Sequence, residues 1–464
     1  MAKVVKFLKQ GMILGLVLPG TVFAQSFEEA LTAAYLNNPT LQADRARQRA
    51  TDEQVPQALS GWRPTVTVSG RAGKGYVDST TKAGSTTEHL TPRSYTATVT
   101  QPLYRGGRTV AETSQAENTV QAGRAMLLAT EQTILLNAAA AYLNVVRDQS
   151  VLDLNIANEQ VLRRQLQATE DRFRVGDVTR TDVAQAEARL SKAIADKIQS
   201  EGNLQTSRAN FQNLVGFLPG KLRFPKPIAG LPKSMKEAIE KAVAFNPEVI
   251  SADYQSRAAK DAVDVARSAL LPNLSLVGEF GQNWDSTTQN SRNTNAQGTI
   301  VLSVPLYQGG SEYSAVRQQK HTASQKRIQV DQSRRDAVEN ASQAWETLMS
   351  ARAQIRALAA QIKASEIALD GVQREAQVGA RTVLDVLNAE QELLDARVNL
   401  VLAQRDERVA AVQLKAAVGR LTAQGMGLRI DVYDPSVHYN RVRDKWIGTG
   451  AGPEDAPNAE KQSG

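Results

Sequence analysis

Few residues of this 464-residue chain could do covalent chemistry. Cysteine is absent, and His89, His321 and His438 stand far apart, so the sequence offers no thiol nucleophile and no clustered metal ligands. Arg105-Gly106-Gly107 and Gln308-Gly309-Gly310 lack the lysine and the spacing of a phosphate-binding loop. What remains is electrostatic. Arg381 and Asp385 lie four apart, a spacing that puts them on one helix face, and Thr181 with Asp182 starts a matching helix earlier in the chain. Read alone, such a pair is an ordinary solvent-exposed contact that contributes little to stability. Neither an enzyme nor a cofactor is expected.

The two charged sites are copies of one another. Val175-Gly176-Asp177-Val178-Thr179-Arg180-Thr181-Asp182-Val183 recurs as Val378-Gly379-Ala380-Arg381-Thr382-Val383-Leu384-Asp385-Val386, displaced by 203 positions. The same displacement relates Gln101-Pro102-Leu103-Tyr104-Arg105-Gly106-Gly107 to Val304-Pro305-Leu306-Tyr307-Gln308-Gly309-Gly310. Nearer the start of each copy the displacement is 208, from Ser26, Asn38-Pro39 and Arg63-Pro64 to Ser234, Asn246-Pro247 and Leu271-Pro272. The chain is therefore a tandem duplication whose period is one whole structural half. The five-residue discrepancy falls between Pro64 and Pro102, where a loop tolerates it. Residues 25–220 form the first repeat, 221–420 the second, and 421–464 a tail.

Lys3, Lys6 and Lys9 precede an apolar run from Met12 to Leu18, a Pro19-Gly20 break and Val22-Phe23-Ala24. That order predicts a secretory signal peptide over residues 1–24, because the run is too short to span a bilayer as a helix. The net charge of +7 includes those three lysines, which leaves +4 for the exported chain. Positive and negative residues are interleaved, so the excess describes a solvated surface and no nucleic-acid partner. With no disulfide available, stability must come from burial and association.

No proline occurs between Pro102 and Pro219 or between Pro305 and Pro435, and these spans are rich in good helix formers. They predict long helices over 107–173, 181–215, 310–376 and 383–418. Heptad-like gaps among Ile134, Ala138, Ala141, Val145, Leu152 and Ile156 imply coiled-coil packing. Gly176 and Gly379 break each pair into a hairpin, with Thr179 and Thr382 placed to cap the returning helix. Ser26 with Glu29, and Ser234 with Glu237, read as capping boxes for two shorter helices interrupted at the Asn-Pro pairs.

Between those helices the periodicity switches to two, predicting strands at about 63–76, 93–103, 272–284 and 296–306. Val66, Val68, Ala97 and Val99 alternate with Thr65, Thr67, Thr96, Thr98 and Thr100, and Leu274, Leu276, Phe280, Ile300 and Leu302 do so in the second copy. Asp78–Thr91 and Asp285–Asn295 are expected as polar loops joining each strand pair. About ten residues is what a tilted strand needs to cross an outer membrane. Trp62, Tyr104 and Tyr307 mark one end of the strands, and Tyr76 and Trp284 the other, as aromatic girdles at membrane interfaces do. Four strands cannot close a barrel, so several chains must pool them. Counting allows a dimer, trimer or tetramer.

The signal peptide, Asn-Pro breaks, paired strands, Pro-Leu-Tyr-x-Gly-Gly exits and Val-Gly-x-x-x-x-x-Asp-Val tips together resemble the TolC family of outer-membrane channels, over roughly Ser26 to Arg420. The resemblance implies an α+β membrane protein: a homotrimer whose strands form one twelve-stranded barrel in the outer membrane of a Gram-negative bacterium, continued into the periplasm by an α-helical tunnel. It implies two protein partners, a periplasmic adaptor (membrane fusion) protein and an inner-membrane transporter, ABC or proton-driven. Outer-membrane lipid would surround the barrel. The function so implied is an exit duct for proteins in type I secretion, for small toxic compounds in efflux, or for both.

The resemblance also assigns the tips. In the family the periplasmic end is closed by bonds between an arginine and a threonine–aspartate pair and narrowed by acidic rings, which match Arg381, Thr181, Asp182 and Asp385. The second ring aspartate corresponds here to Asn388, and a tyrosine of the network to Ala376, so a weaker lock and a milder cation preference are expected. Val175, Gly176, Val378 and Gly379 occupy the positions where the adaptor docks. The competing reading, a non-conducting coiled-coil scaffold anchored in the envelope, uses the same helices but needs no polar lumen. Tail segments Val432–Pro435 and Tyr439–Trp446 are expected to fold against the helices, and Gly448–Gly464 to be disordered.

Overall fold

The computed structural model describes residues 26–82 and 84–450. The expected signal peptide and the end of the tail from residue 451 lie outside the described residues. Ser26 opens α1 (Phe27–Asn37) with a full capping box: its hydroxyl accepts the Glu29 N–H while Glu29 accepts the Ser26 N–H. Asn38 ends α1 and caps α2 (Pro39–Asp52), whose first residue is the proline that cannot continue the preceding helix. A short α3 (Gln54–Leu59) and a 3₁₀ turn over Ser60–Trp62 lead to β1 (Thr65–Ala72), β2 (Gly75–Thr81), β3 (Gly84–Leu90) and β4 (Arg93–Arg105). Helices α4 (Arg108–Arg174) and α5 (Arg180–Val215) form the first long hairpin.

The second copy repeats this order with α6 (Met235–Phe245), α7 (Pro247–Ser268), β5 (Asn273–Trp284), β6 (Arg292–Ser303), α8 (Ser311–Gln377) and α9 (Val383–Ala417). A final α10 (Pro435–Val442) lies in the tail. The predicted long helices thus form within a few residues of their expected ends. Both α4 and α8 have 67 residues, about 100 Å at ~1.5 Å per residue. The duplication extends to single atoms. Asn38 Nδ2 donates to the Leu214 carbonyl at the end of α5, and Asn246 Nδ2 donates to the Ala417 carbonyl at the end of α9. Each Asn-Pro pair therefore caps one helix and ties down the last turn of another.

One expectation in this region fails. Ser234 Oγ accepts the Glu237 N–H, but the Glu237 carboxylate turns to the Lys233 N–H (2.7 Å) and to Lys241, so the second box is only half made. One oxygen takes the Lys233 backbone N–H in place of that of Ser234, and the other takes the Lys241 ammonium one helical turn on.

The main core lies where α1 and the tail pack on α4 and α5, around Leu31, Tyr35, Leu135, Tyr142, Phe211 and Leu421. Ile134, Ala138, Ala141 and Val145 are buried there as the heptad spacing requires, whereas Leu152 and Ile156 are half-buried farther along the hairpin. The tail is fastened by buried polar groups. Glu131 accepts the Ala423 N–H at 2.7 Å, and Asp52, fully buried, accepts from Gln48 and faces His438 Nδ1 at 3.2 Å. Desolvation raises the pKa of both carboxyls above the ordinary range. Of the tail's two expected docking segments, Val432–Pro435 is held by Arg45 over Tyr433 and by the Tyr433 N–H donating to Tyr35 Oη, and Tyr439–Trp446 by Arg124 over Tyr439 and Arg63 over Trp446.

The sheet is antiparallel with strand order β1-β4-β5-β6. Its register lines up one apolar face, pairing Val66 with Val99, Val68 with Ala97, Ala97 with Phe280, Leu276 with Ile300 and Leu274 with Leu302. The opposite face pairs Thr67 with Thr98, Thr98 with Glu279, and Glu279 with Gln297. Within the chain, β1 and β6 each have one unpaired edge. Asp78–Thr91, expected as a loop, is instead most of the β2–β3 hairpin, a separate two-stranded sheet. Its threonines, Tyr76 and Val77 favour extended backbone, but polar residues on both faces erase the alternation that reveals a half-buried strand. In the second copy the link is a turn, with Asp285 (φ 48°) and Asn290 (φ 62°) in the left-handed region, and β6 begins already at Arg292. The extra hairpin accounts for the displacement change between the two copies. No described helix is long and apolar enough to cross a membrane.

Candidate functional site

The helical hairpins end in two near-identical tips. α4 runs out at Val175, and Gly176 (φ 81°) donates to the Phe173 carbonyl while Asp177 donates to that of Arg172. At the second tip Gly379 (φ 75°) donates to Ala376 and Ala380 to Glu375. Both are Schellman turns, in which only glycine takes the left-handed position without strain. They leave Val175 80% and Val378 79% exposed, two apolar side chains standing in solvent at the outermost points of the chain.

Each returning helix opens with a capping box. Thr179 N–H and Oγ1 both donate to Asp182 Oδ2, at 2.8 and 2.7 Å, and Thr382 does the same to Asp385 Oδ2 at 3.0 and 2.8 Å. These bonds hold both carboxyls below their ordinary pKa, through the Thr179 side chain first at Asp182 and the Thr382 backbone first at Asp385. Both therefore stay ionised at neutral pH and keep one oxygen clear of the cap.

The shared helix face expected for Arg381 and Asp385 is not formed. Thr382 is the N-cap, α9 starts at Val383, and Arg381 lies in the turn before the helix. Its Nε donates to Glu375 Oε2 at 2.8 Å, back on the last residues of α8, and this contact raises the arginine's already high pKa. Four-residue spacing places two side chains on one face only where both belong to the helix. Thr181 is exposed and Asp182 half-buried at the start of α5, and neither is hydrogen-bonded to Arg381 within the chain.

The two tips do meet. Leu162, Ala186, Leu190 and Ala193 of the first hairpin pack against Val383 and Leu387 of the second. Beside this cluster, Arg189 Nη2 donates to Asn388 Oδ1 at 2.8 Å, joining α5 to α9. Arg189 went unrecognised in the sequence, because its partner is 199 residues away and neither repeat motif includes it.

At the other end of the molecule, Trp62 lies in the turn before β1, Tyr104 at the end of β4 and Tyr307 just past β6, all exposed and all at the helical end of the sheet. Gln101 Nε2 ties Trp62 down through its carbonyl oxygen, at 2.9 Å. Trp284 closes the far end of β5, its ring tilted against that of Tyr95 at 5.7 Å between centroids. Tyr76 lies beyond the four-stranded sheet, in β2, against His89.

A sheet of membrane-spanning length, apolar on one face and polar on the other, mounted on hairpins of about 100 Å, defines one subunit of an outer-membrane channel with a periplasmic helical extension. Comparison with known proteins agrees. Residues 30–217 and 238–420 match the outer membrane efflux protein family, and the chain belongs to that family, the TolC-type channels. It is 36% identical over 440 residues to outer membrane efflux protein BepC of Brucella suis, covering 94% of this chain and 95% of BepC. It is 25% identical to TolC of Escherichia coli K12, over 87% of this chain and 84% of TolC. It is 26% identical to the alkaline protease secretion protein AprF of Pseudomonas aeruginosa, over 88% of this chain and 87% of AprF. In fold it resembles the Campylobacter jejuni CmeC outer membrane channel (TM-score 0.76, 16% identity, 90% of this chain and 89% of CmeC). The protein is a transport channel and not an enzyme.

Proposed function

We propose that three copies of this chain assemble into one twelve-stranded barrel above a helical tunnel, and that this duct works with a periplasmic adaptor and an inner-membrane transporter to export proteins, small toxic compounds or both. The observation that carries the reading is the pair of free edges at β1 and β6 on a sheet with one apolar face. In lipid each unpaired backbone group costs several kcal/mol, so the edges must meet those of other copies. The polar face then lines the pore and the apolar face meets lipid. The aromatic side chains of Trp62, Tyr104 and Tyr307, with Trp284 opposite, sit at the two boundaries of the hydrocarbon layer.

The exposed valines of the two tips are the adaptor's docking points. Replacing Val175 or Val378 by tryptophan, on turns whose backbone is already satisfied, is expected to abolish chemical crosslinking to the cognate adaptor while leaving the oligomer extracted in mild detergent intact. Crosslinks that persist at wild-type yield move the contact elsewhere.

Arg381, Thr181, Asp182 and Asp385 close the periplasmic end. The Glu375 bond of Arg381 lies at the surface, so the guanidinium can exchange Glu375 for Asp182 of a neighbouring copy without crossing an apolar barrier. Arg381→Ser or Asp182→Ala is expected to raise single-channel conductance in planar bilayers severalfold. Equal conductance in both variants and the wild type removes the lock from these residues.

A further inference from the structure

α9 ends where Gly419 turns left-handed (φ 72°), pressed so closely on the α6–α7 junction that an added Cβ would lie 2.1 Å from the Phe245 carbonyl oxygen. That close approach brings Lys415, in the last turn of α9, and Arg420, just beyond it, to one cavity of about 650 Å³. Lys241 of α6 and Lys226 of the segment between the two repeats line the same cavity, and Glu28 is the one carboxylate on its wall. Four cations therefore face one anion, and Glu28 is exposed at the rim.

Lys415 is the least expected of them. It is only 7% exposed, yet its ammonium meets a single acceptor, the Ala229 carbonyl oxygen at 3.3 Å, and no carboxylate lies within ion-pairing distance among the described residues. An ammonium carries three donors, and buried charge is normally paired. Burial pulls its pKa below the ordinary lysine value, with no carboxylate contributing the opposing effect. Arg420 is also without an acid: its guanidinium lies over the Phe245 ring at 4.1 Å, which leaves its in-plane N–H groups available. Lys241 is already held by Glu237 at 2.7 Å. The two best-placed free donors are thus Lys415 and Arg420.

We infer that this cavity binds an oxyanion, the carboxylate or phosphate group of a periplasmic molecule, with Lys415 and Arg420 as its direct ligands and Lys226 adding attraction from the wall. The headgroups of the surrounding bilayer are too far away to supply it. The 22 residues of α7, about 33 Å at ~1.5 Å per residue, separate the Asn246 junction beside the cavity from the start of the sheet.

The test uses the full-length protein in detergent, in its extracted oligomeric form. Inorganic phosphate and tricarballylate are titrated separately while sodium chloride holds ionic strength constant, and thermal unfolding is followed. A saturable rise in Tm of several degrees is expected with at least one of the two anions. Phosphate alone identifies a phosphate ligand, tricarballylate alone a carboxylate ligand. Lys415→Met, which keeps the stem and removes the charge, is expected to weaken the apparent affinity at least tenfold while melting no lower than wild type in anion-free buffer. Arg420→Gln, at an exposed position, repeats the affinity test with little risk to folding. A response that is linear and unsaturable, or equal in wild type and both variants, overturns the site.

Discussion

Arginine at Val99 is expected to abolish the assembled channel, whereas arginine at the adjacent Thr98 leaves it assembled. Both positions are at the middle of β4, a central strand of the sheet, and they differ only in the face they present. Val99 pairs with Val66 and Gly278 on the apolar face. A lipid-facing arginine at the bilayer midplane costs about 2–4 kcal/mol, and three copies in a trimer raise this to roughly 6–12 kcal/mol, comparable to the whole stability of an ordinary domain. Thr98 pairs with Glu279 across the polar face. An arginine there gains a cross-strand carboxylate in a water-filled lumen and costs little. The oligomer extracted in mild detergent, sized by light scattering, should vanish for Val99→Arg and persist for Thr98→Arg. Persistence of both means that the apolar face does not meet lipid.

Arg189→Asp is expected to shift the channel's cation-over-anion permeability ratio upward about tenfold in dilute salt, without loss of assembly. The reason lies in what stands beside Asn388. Where the related pattern carries a second carboxylate ring, this chain places a neutral amide hydrogen-bonded to the Arg189 guanidinium. In the gate proposed above, Asp182 and Arg381 offset one another in the lock, which leaves one carboxylate at Asp385 and one cation at Arg189 per chain, and these nearly cancel. The variant replaces that balance by two carboxylates per chain and concentrates cations at the constriction. The effect should shrink at 1 M salt, where screening acts over ~3 Å rather than the ~30 Å of 0.01 M. Reversal potentials in asymmetric salt measure it directly. An unchanged ratio at low salt places Arg189 away from the ion path.

Much of this architecture was legible in the residues because it is written twice. The tip motif and the Pro-Leu-Tyr exit recur at a constant displacement, and glycine at 176 and 379 has one physical use there, the left-handed turn that ends a helix. Thr179 and Thr382 announced themselves as N-caps in the same way, and the structure adds Asp182 and Asp385 as the second half of each box. Contacts that depend on distant partners were not legible. Nothing near Arg189 in the sequence points to Asn388, and Arg381 chose Glu375, six residues back, because the turn bends that carboxylate toward it. The β2–β3 hairpin was hidden for a different reason. Its strands carry Thr, Ser, Asp and Glu on both faces, so the contrast that marks a half-buried strand is missing. Tail helix α10 is short and depends on Asp52 and Tyr439 contacts rather than on a pattern of its own.

That extra hairpin occurs in one copy of the repeat only, while the tips occur in both. In the trimer proposed above, the two ends of the duct would therefore obey different symmetries: the outer rim repeats three times around the axis, the inner end nearly six. A ligand gripping the rim finds three equivalent places, and a partner at the tips finds six that alternate in pairs. Stoichiometry at each end is thus set by where the ancestral gene doubled evenly and where it did not.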